Sequence, residues 1–89
     1  MANILDLEME FKMSFYIIKD DEGWESSYFY STSYAALEHA KKLAGHECNK
    51  LVNKYFIYEV VLDTMGGDRH IRKTLVLEYH TKSKRIKYL

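Results

Sequence analysis

The chain has 89 residues, and its 13 basic and 13 acidic side chains give a formal net charge of zero. A chain of this length supports one hydrophobic core, so residues 1–89 are predicted to form a single domain. The single cysteine, Cys48, excludes an internal disulfide. No secretory signal or membrane-spanning run is evident, so we expect a cytoplasmic protein that does not bind membranes.

The charge is unevenly distributed along the chain. Residues 1–30 carry a net charge of about −5, and residues 69–89 carry about +6. Such polarity either steers a charged partner or pairs the two ends of the chain within a sheet. Opposite charges that face each other across neighbouring strands contribute about 0.2–1 kcal/mol per pair.

Residues 5–17 alternate strictly between apolar and polar side chains. The apolar positions are Leu5, Leu7, Met9, Phe11, Met13, Phe15 and Ile17. Because successive side chains of a strand point to opposite faces, this pattern predicts a long strand with one apolar face. A short helix capped by Asn3 is the alternative for residues 1–12.

Residues 20–23 predict a tight turn that ends at Gly23, and residues 24–31 predict the returning strand. A three-residue loop pairs Phe15 with Phe29 and Tyr16 with Tyr28. A four-residue loop shifts the pairing by one residue and exchanges the two faces. Both registers remain open, and so does the question of which hairpin face is buried.

Residues 33–44 predict a helix, with Ser33 as its N-cap and Gly45 as its end. Its apolar stripe consists of Ala36, Leu37, Ala40, Leu43 and Ala44. A stripe so rich in alanine lets a helix lie close to a sheet.

The second half of the chain predicts strands at residues 55–64, 70–80 and 85–88, with a turn at residues 65–68. Residues 55–62 are apolar at both parities, which is typical of an interior strand. Together, these elements predict an α+β fold with an antiparallel sheet of about five or six strands. One helix, at about residues 33–44, packs across it, and the order is β-β-β-α-β-β with a short further strand.

Several residues that carry chemistry in other proteins lack a matching pattern here. Cys48 and His46 are not accompanied by an orienting group, and His39, His46 and Cys48 do not have a compact zinc-ligand spacing. The acidic side chains of residues 20–25 lie at a turn, where solvent gives both carboxylates of a pair the same environment. Acid–base catalysis needs two different environments. We therefore predict a protein that is not an enzyme and has no cofactor or metal.

Two surfaces remain as candidates for binding. The first is the aromatic face and acidic tip of the first hairpin, which predicts a protein partner through Asp20, Asp21, Glu22, Trp24, Glu25, Tyr28 and Tyr30. The alternative is a nucleic-acid partner bound through Arg72, Lys82, Lys84, Arg85 and Lys87, near Tyr79 and Tyr88. A homo-oligomer that buries the aromatic face is a third interpretation.

The segment Tyr16-Ile17-Ile18-Lys19, followed by a hairpin and a helix, resembles the opening strand of some anti-CRISPR proteins. In size and layout the chain is similar to small bacteriophage-encoded inhibitors. The resemblance implies a phage protein in the host cytoplasm that blocks a host protein or defence complex by binding it. It rests on layout, so it assigns no functional residues.

Overall fold

The computed structural model describes residues 11–65 and 68–89, which form one antiparallel sheet and one helix. The elements are β1 (Phe11–Asp20), α1 (Ser33–Ala44), a 3₁₀ turn (Glu47–Asn49), β2 (Lys54–Met65), β3 (Asp68–His80) and β4 (Arg85–Tyr88). The strands lie in the order β1-β2-β3-β4, and each neighbouring pair is antiparallel. The predicted α+β class, with one helix on an antiparallel sheet, is confirmed for these residues.

The predicted number and order of strands are wrong in detail. The described residues contain four strands in the order β-α-β-β-β, where five or six in the order β-β-β-α-β-β were expected. The proposed strand or helix at residues 5–10 and the proposed turn at Gly66 and Gly67 lie outside the described residues.

Residues 24–31 do not form a regular returning strand. They meet β1 at two isolated bridges, Lys19 with Glu25 and Tyr16 with Tyr30. The Ser26 hydroxyl accepts a hydrogen bond from the Ile18 amide at 3.1 Å, in place of a backbone acceptor. The register consequently shifts by two residues between the bridges, so Tyr16 faces Tyr30 and the predicted pairing with residue 28 is wrong.

The helix α1 has the predicted bounds but a different N-cap. Thr32, not Ser33, caps it, because the Thr32 hydroxyl accepts a hydrogen bond from the Ala35 amide at 3.0 Å. Gly45 ends the helix as expected, with a right-handed φ of −80°. The stop therefore does not use the left-handed conformation that glycine permits.

The hydrophobic core lies between α1 and one end of the sheet. Ala36 and Ala40 are fully buried and bring the helix axis close to the strands. The sheet contributes the buried side chains Ile18, Tyr55, Ile57, Leu77 and Tyr79. Val52 is also buried, whereas the neighbouring Leu51 is 74% exposed.

The sheet extends well beyond the helix. The molecule measures 57 × 23 × 18 Å, and the 13 residues of β3 follow its long axis. A bulge interrupts β3 at Val76, because Ile57 pairs with Leu77 while the next residue, Tyr58, pairs with Leu75. We call the part of the sheet formed by residues 11–15, 60–65 and 68–75 the distal arm.

The close approach of α1 predicts a large effect of a small substitution. Ala40→Leu adds volume where the helix meets the sheet, and we expect it to lower the free energy of unfolding by about 1–3 kcal/mol. The neighbouring Lys41→Leu, on the exposed side of the helix, should change it by less than about 0.5 kcal/mol. Urea unfolding followed by circular dichroism measures both, and equal stabilities would show that α1 does not pack tightly on the sheet.

The buried Tyr55 predicts a loss of stability at alkaline pH. Burial, together with the nearby charge of Asp20, raises the pKa of its hydroxyl from 10.0 to about 12. The contribution of this group is therefore fully present below pH 10 and is lost as the pH rises through 12. We expect the urea midpoint of the native protein to fall more steeply than that of Tyr55→Phe over this range. Parallel curves for the two proteins would contradict the assignment.

Candidate functional site

The hairpin tip uses its first two acids to hold its own backbone. The Asp20 carboxylate accepts hydrogen bonds from the amides of Glu22 and Trp24, each at 2.8 Å. The Asp21 carboxylate accepts one from the Asn53 amide at 3.2 Å, which ties the tip to the start of β2. Gly23 closes the loop at a φ of 96°, as the three-residue loop predicts. Asp20 and Asp21 therefore shape the loop, and Glu22 is the tip acid that is most available to a partner.

The aromatic residues predicted on one hairpin face are divided between the core and the solvent. Tyr30 turns towards α1 and forms a hydrogen bond with His39, and burial raises the pKa of its hydroxyl. Tyr28 is 67% exposed. Trp24 lies beside a cleft of about 230 Å³, which Leu43 and Tyr55 also line. The helix thus covers part of the face that the sequence offered as a contact surface.

The basic residues proposed for nucleic acid do not form one surface. Lys82 and Lys84 lie in the turn before β4, and Lys87 faces Glu78 across the β3–β4 ladder. Arg72 lies on the distal arm, about 27 Å further along β3 than His80, where that turn begins.

One of the two tyrosines proposed near those bases is inside the protein. Tyr79 is buried against α1, whereas Tyr88 is 72% exposed. Stacking on a base is therefore open to Tyr88 but not to Tyr79 in this fold.

The residues considered for catalysis or metal binding remain apart from any enclosed site. Cys48 is exposed on the 3₁₀ turn. Within the described ranges, no group of three or more metal-ligating side chains is present. No helix among those residues is long and apolar enough to cross a membrane.

A different surface stands out on the side of the sheet that faces away from α1, which we call the open face. The strand registers place Ile17, Tyr58 and Leu75 on this face, together with their neighbours two positions along. No helix or second sheet among the described residues covers it. Ile17 and Val60 are nevertheless buried on this face, so within the described part of the chain it lacks a second layer but is not exposed throughout.

The distal part of the open face is apolar and accessible, and we call it the distal patch. Its side chains are Met13, Phe15, Phe29, Leu62, Ile71 and Leu75. Met13, Leu62 and Ile71 form a continuous row across β1, β2 and β3. The Phe15 and Phe29 rings lie beside that row, with centroids 4.5 Å apart.

Three members of the distal patch are exposed to a degree that is unusual for large apolar side chains. Met13 is 46% exposed, Ile71 is 66% exposed and Phe29 is 70% exposed. Single exposed apolar residues are common, but a contiguous set on one face is typical of a contact surface.

A group of charged side chains adjoins the patch, and one of them, Lys73, lies on the open face between Ile71 and Leu75. The Glu25 carboxylate lies 3.3 Å from the Lys19 ammonium and 3.9 Å from that of Lys73. Lys19 also lies 5.5 Å from the centre of the Tyr58 ring. Such exposed ion pairs contribute little to stability, so their main effect is to mark a polar rim.

The distal patch was not among the predicted site residues. Its signal was present in the sequence, because residues 55–62 are apolar at both parities and the odd positions of β1 are apolar. That pattern predicts that both faces of the strand are packed by other elements. It does not reveal that, among the described residues, a helix packs on only one of them.

Comparisons with known proteins give no independent guide to function. No protein-family model matches the chain, and searches of curated proteins and of solved structures also gave no match. The functional argument consequently rests on the chain's own geometry.

The hydrogen bonds at the hairpin tip predict that its acids differ in importance. Asp20→Ala removes the acceptor of two backbone amides and should lower the free energy of unfolding by about 1 kcal/mol. Asp20→Asn keeps an oxygen at this position and should recover part of the loss. Glu22→Ala should change stability by less than about 0.5 kcal/mol. Thermal unfolding of the three variants checks this order, and an equal effect of Asp20→Ala and Glu22→Ala would refute it.

Proposed function

We propose that this protein is a non-enzymatic protein-binding module whose contact surface is the distal patch. The observation that carries the proposal is the exposure of Met13, Phe29 and Ile71 on one contiguous apolar surface. A partner that covers these side chains would gain about 25 cal/mol for each Å² of apolar surface removed from water.

The surroundings of the patch fit a protein interface. An apolar centre with a charged rim is the usual anatomy of such a surface, and here Glu25 and Lys19 supply the rim, while Lys73 lies between Ile71 and Leu75. Apart from Phe29, which lies in the irregular segment 24–31, the patch residues lie on strands of the sheet, which hold their side chains in fixed positions. A partner therefore meets a largely preformed surface.

The proposal moves the contact surface away from most of the predicted hairpin residues. Asp20 and Asp21 are engaged by backbone amides, and Tyr30 packs against α1. Trp24 and Tyr28 remain accessible at the edge of the sheet. We treat these two residues as a secondary contact rather than as the centre of the interface.

A finer proposal, a phage-type inhibitor of a host defence complex, is supported by the resemblance alone. The order of a Tyr-Ile-Ile-Lys strand, a tight loop and a helix is the layout on which that resemblance rests. The nucleic-acid alternative is less well supported, because Arg72 is remote from Lys82 and Lys84.

The proposed interface is tested with a matched pair of variants. Ile71→Lys places a charge within the patch, and we expect at least about a tenfold loss of affinity for the partner. Lys82→Glu combined with Lys84→Glu changes only the remote basic turn and should leave the affinity within about twofold. A protein captured from host lysate by the native chain is purified, and its dissociation constant for each variant is measured by calorimetry.

The outcomes of this test are distinct. Because Ile71 is 66% exposed, the urea midpoint of Ile71→Lys should match that of the native chain, which shows that the fold is intact. Loss of binding in the Lys82/Lys84 variant with retention in Ile71→Lys would overturn the proposal in favour of the basic turn. A native dimer in sedimentation that Ile71→Lys dissociates would replace the separate partner by a second copy.

A further inference from the structure

The outer edge of β3 is paired over only part of its length. The four residues of β4 pair with Leu77–His80, and the last bond on this side runs from the Leu89 amide to the Val76 carbonyl at 3.0 Å. Beyond Val76, none of the described residues pairs with the outer side of residues 68–75. We call this stretch the open edge, and it spans about 27 Å at the usual rise of a strand.

The open edge has backbone groups that are ready to pair. Alternate residues of an edge strand direct their N–H and C=O groups outwards, so this stretch presents about four donors and four acceptors to the solvent. The bulge at Val76 separates it from the segment that β4 covers. The open edge therefore starts at a defined point rather than where a ladder gradually frays.

The two faces of the open edge differ in chemistry. Ile71, Lys73 and Leu75 lie on the open face, and the two apolar residues among them belong to the distal patch. His70, Arg72 and Thr74 lie on the opposite face, and no described acid lies within 4.0 Å of the Arg72 guanidinium. A strand added here would continue both faces, with apolar side chains beside Ile71 and acidic ones beside Arg72.

We propose that the open edge binds an extended segment of a partner protein, with alternating apolar and acidic residues, by strand addition. This inference rests on the proposed function, since it names the chemistry and the binding mode of the partner. Backbone hydrogen bonds to β3 hold the segment, its apolar side chains cover the distal patch, and its acids face Arg72. Lys73, on the open face between Ile71 and Leu75, offers a further positive charge.

Charge argues against pairing of this edge with the same edge of a second copy. Antiparallel self-pairing near the middle of the open edge has three possible registers. They place Arg72 opposite Arg72, Arg72 opposite Lys73, or Lys73 opposite Lys73. Like charges that face each other across a ladder are destabilising. The same two cations attract an acidic strand. They therefore favour an acidic partner and disfavour pairing with the same edge of a second copy.

The test uses three synthetic peptides and the full chain. The probe is a seven-residue peptide of alternating valine and glutamate with blocked ends. The first control has the same composition with the glutamates grouped, and the second has the alternating sequence with methyl groups on alternate backbone nitrogens. We expect the probe to slow amide hydrogen exchange within residues 70–75 at least tenfold. Each control peptide should bind at least tenfold more weakly in an NMR titration.

Two charge-reversal variants locate the binding. Arg72→Glu combined with Lys73→Glu should weaken the probe at least tenfold, while the Lys82/Lys84 variant stays within twofold. The peptide controls do not depend on any variant, so a folding defect in the Arg72/Lys73 variant leaves the test intact. Equal binding of the methylated peptide, protection confined to β1 or β4, or no binding at millimolar probe would overturn strand addition.

The purified partner separates failure of this inference from failure of the proposed function. If Ile71→Lys abolishes partner binding but the Arg72/Lys73 variant does not, the interface stands and strand addition falls. If neither variant affects partner binding, both fall. A dimer of the native chain that is lost in the Arg72/Lys73 variant would show that the edge pairs with a second copy, and would overturn the proposal.

Discussion

The packing of a short helix on long strands determines the rest of this structure. The helix α1 has 12 residues and is about 18 Å long, whereas β3 has 13 residues and is about 44 Å long. The helix packs over Ile18, Ile57 and Leu77, so the core forms at one end of the sheet. The distal arm then has no helix above it in the described part of the chain. The accessible patch follows from this difference in length, and the open edge follows from the shortness of β4, which pairs with only four residues of β3.

Hydrogen bonds near the core fix which end of the sheet the helix covers. The Thr81 hydroxyl donates to the Val52 carbonyl at 2.8 Å, and the Thr81 amide donates to the Asn53 carbonyl at 3.0 Å. Asp21 accepts from the amide of the same Asn53. The end of β3, the loop before β2 and the tip of the first hairpin are thereby joined. The acidic tip is consequently part of the scaffold, which is why most of its charge is not free to recruit a partner.

Much of the fold could be predicted because its signals are local. The alanine stripe and Gly45 give α1 its bounds, and the sequence also predicts β4 at residues 85–88. The prediction of a returning strand was wrong because the Ser26 hydroxyl takes the place of a backbone acceptor. The strand propensities of the residues do not reveal that substitution of one acceptor for another. The N-cap moved from Ser33 to Thr32 because two adjacent hydroxyl residues suit the position equally well.

The candidate site was harder to predict than the fold, because it depends on what the helix leaves uncovered. The sequence shows that β2 is apolar on both faces, but it does not show how much of each face α1 can reach. The bulge at Val76 has no evident sequence signal either, since it lies in the continuous apolar run Leu75-Val76-Leu77, which contains no glycine or polar residue. The open edge arises only when the short β4 is set against the long β3.

The distal arm combines two features that usually promote aggregation, an uncovered apolar face and an unpaired strand edge. The chain places two cations, Arg72 and Lys73, in the middle of that edge, where self-pairing would bring like charges together. If these cations served only to prevent association, there would be no need for the patch residue Ile71 to remain 66% exposed beside them. An apolar side chain next to cations instead favours one kind of incoming strand. A strand that combines apolar residues with negative charge pairs better here than a strand that has only one of the two. If the edge binds by strand addition as proposed, this arrangement would select among partners rather than simply exclude them.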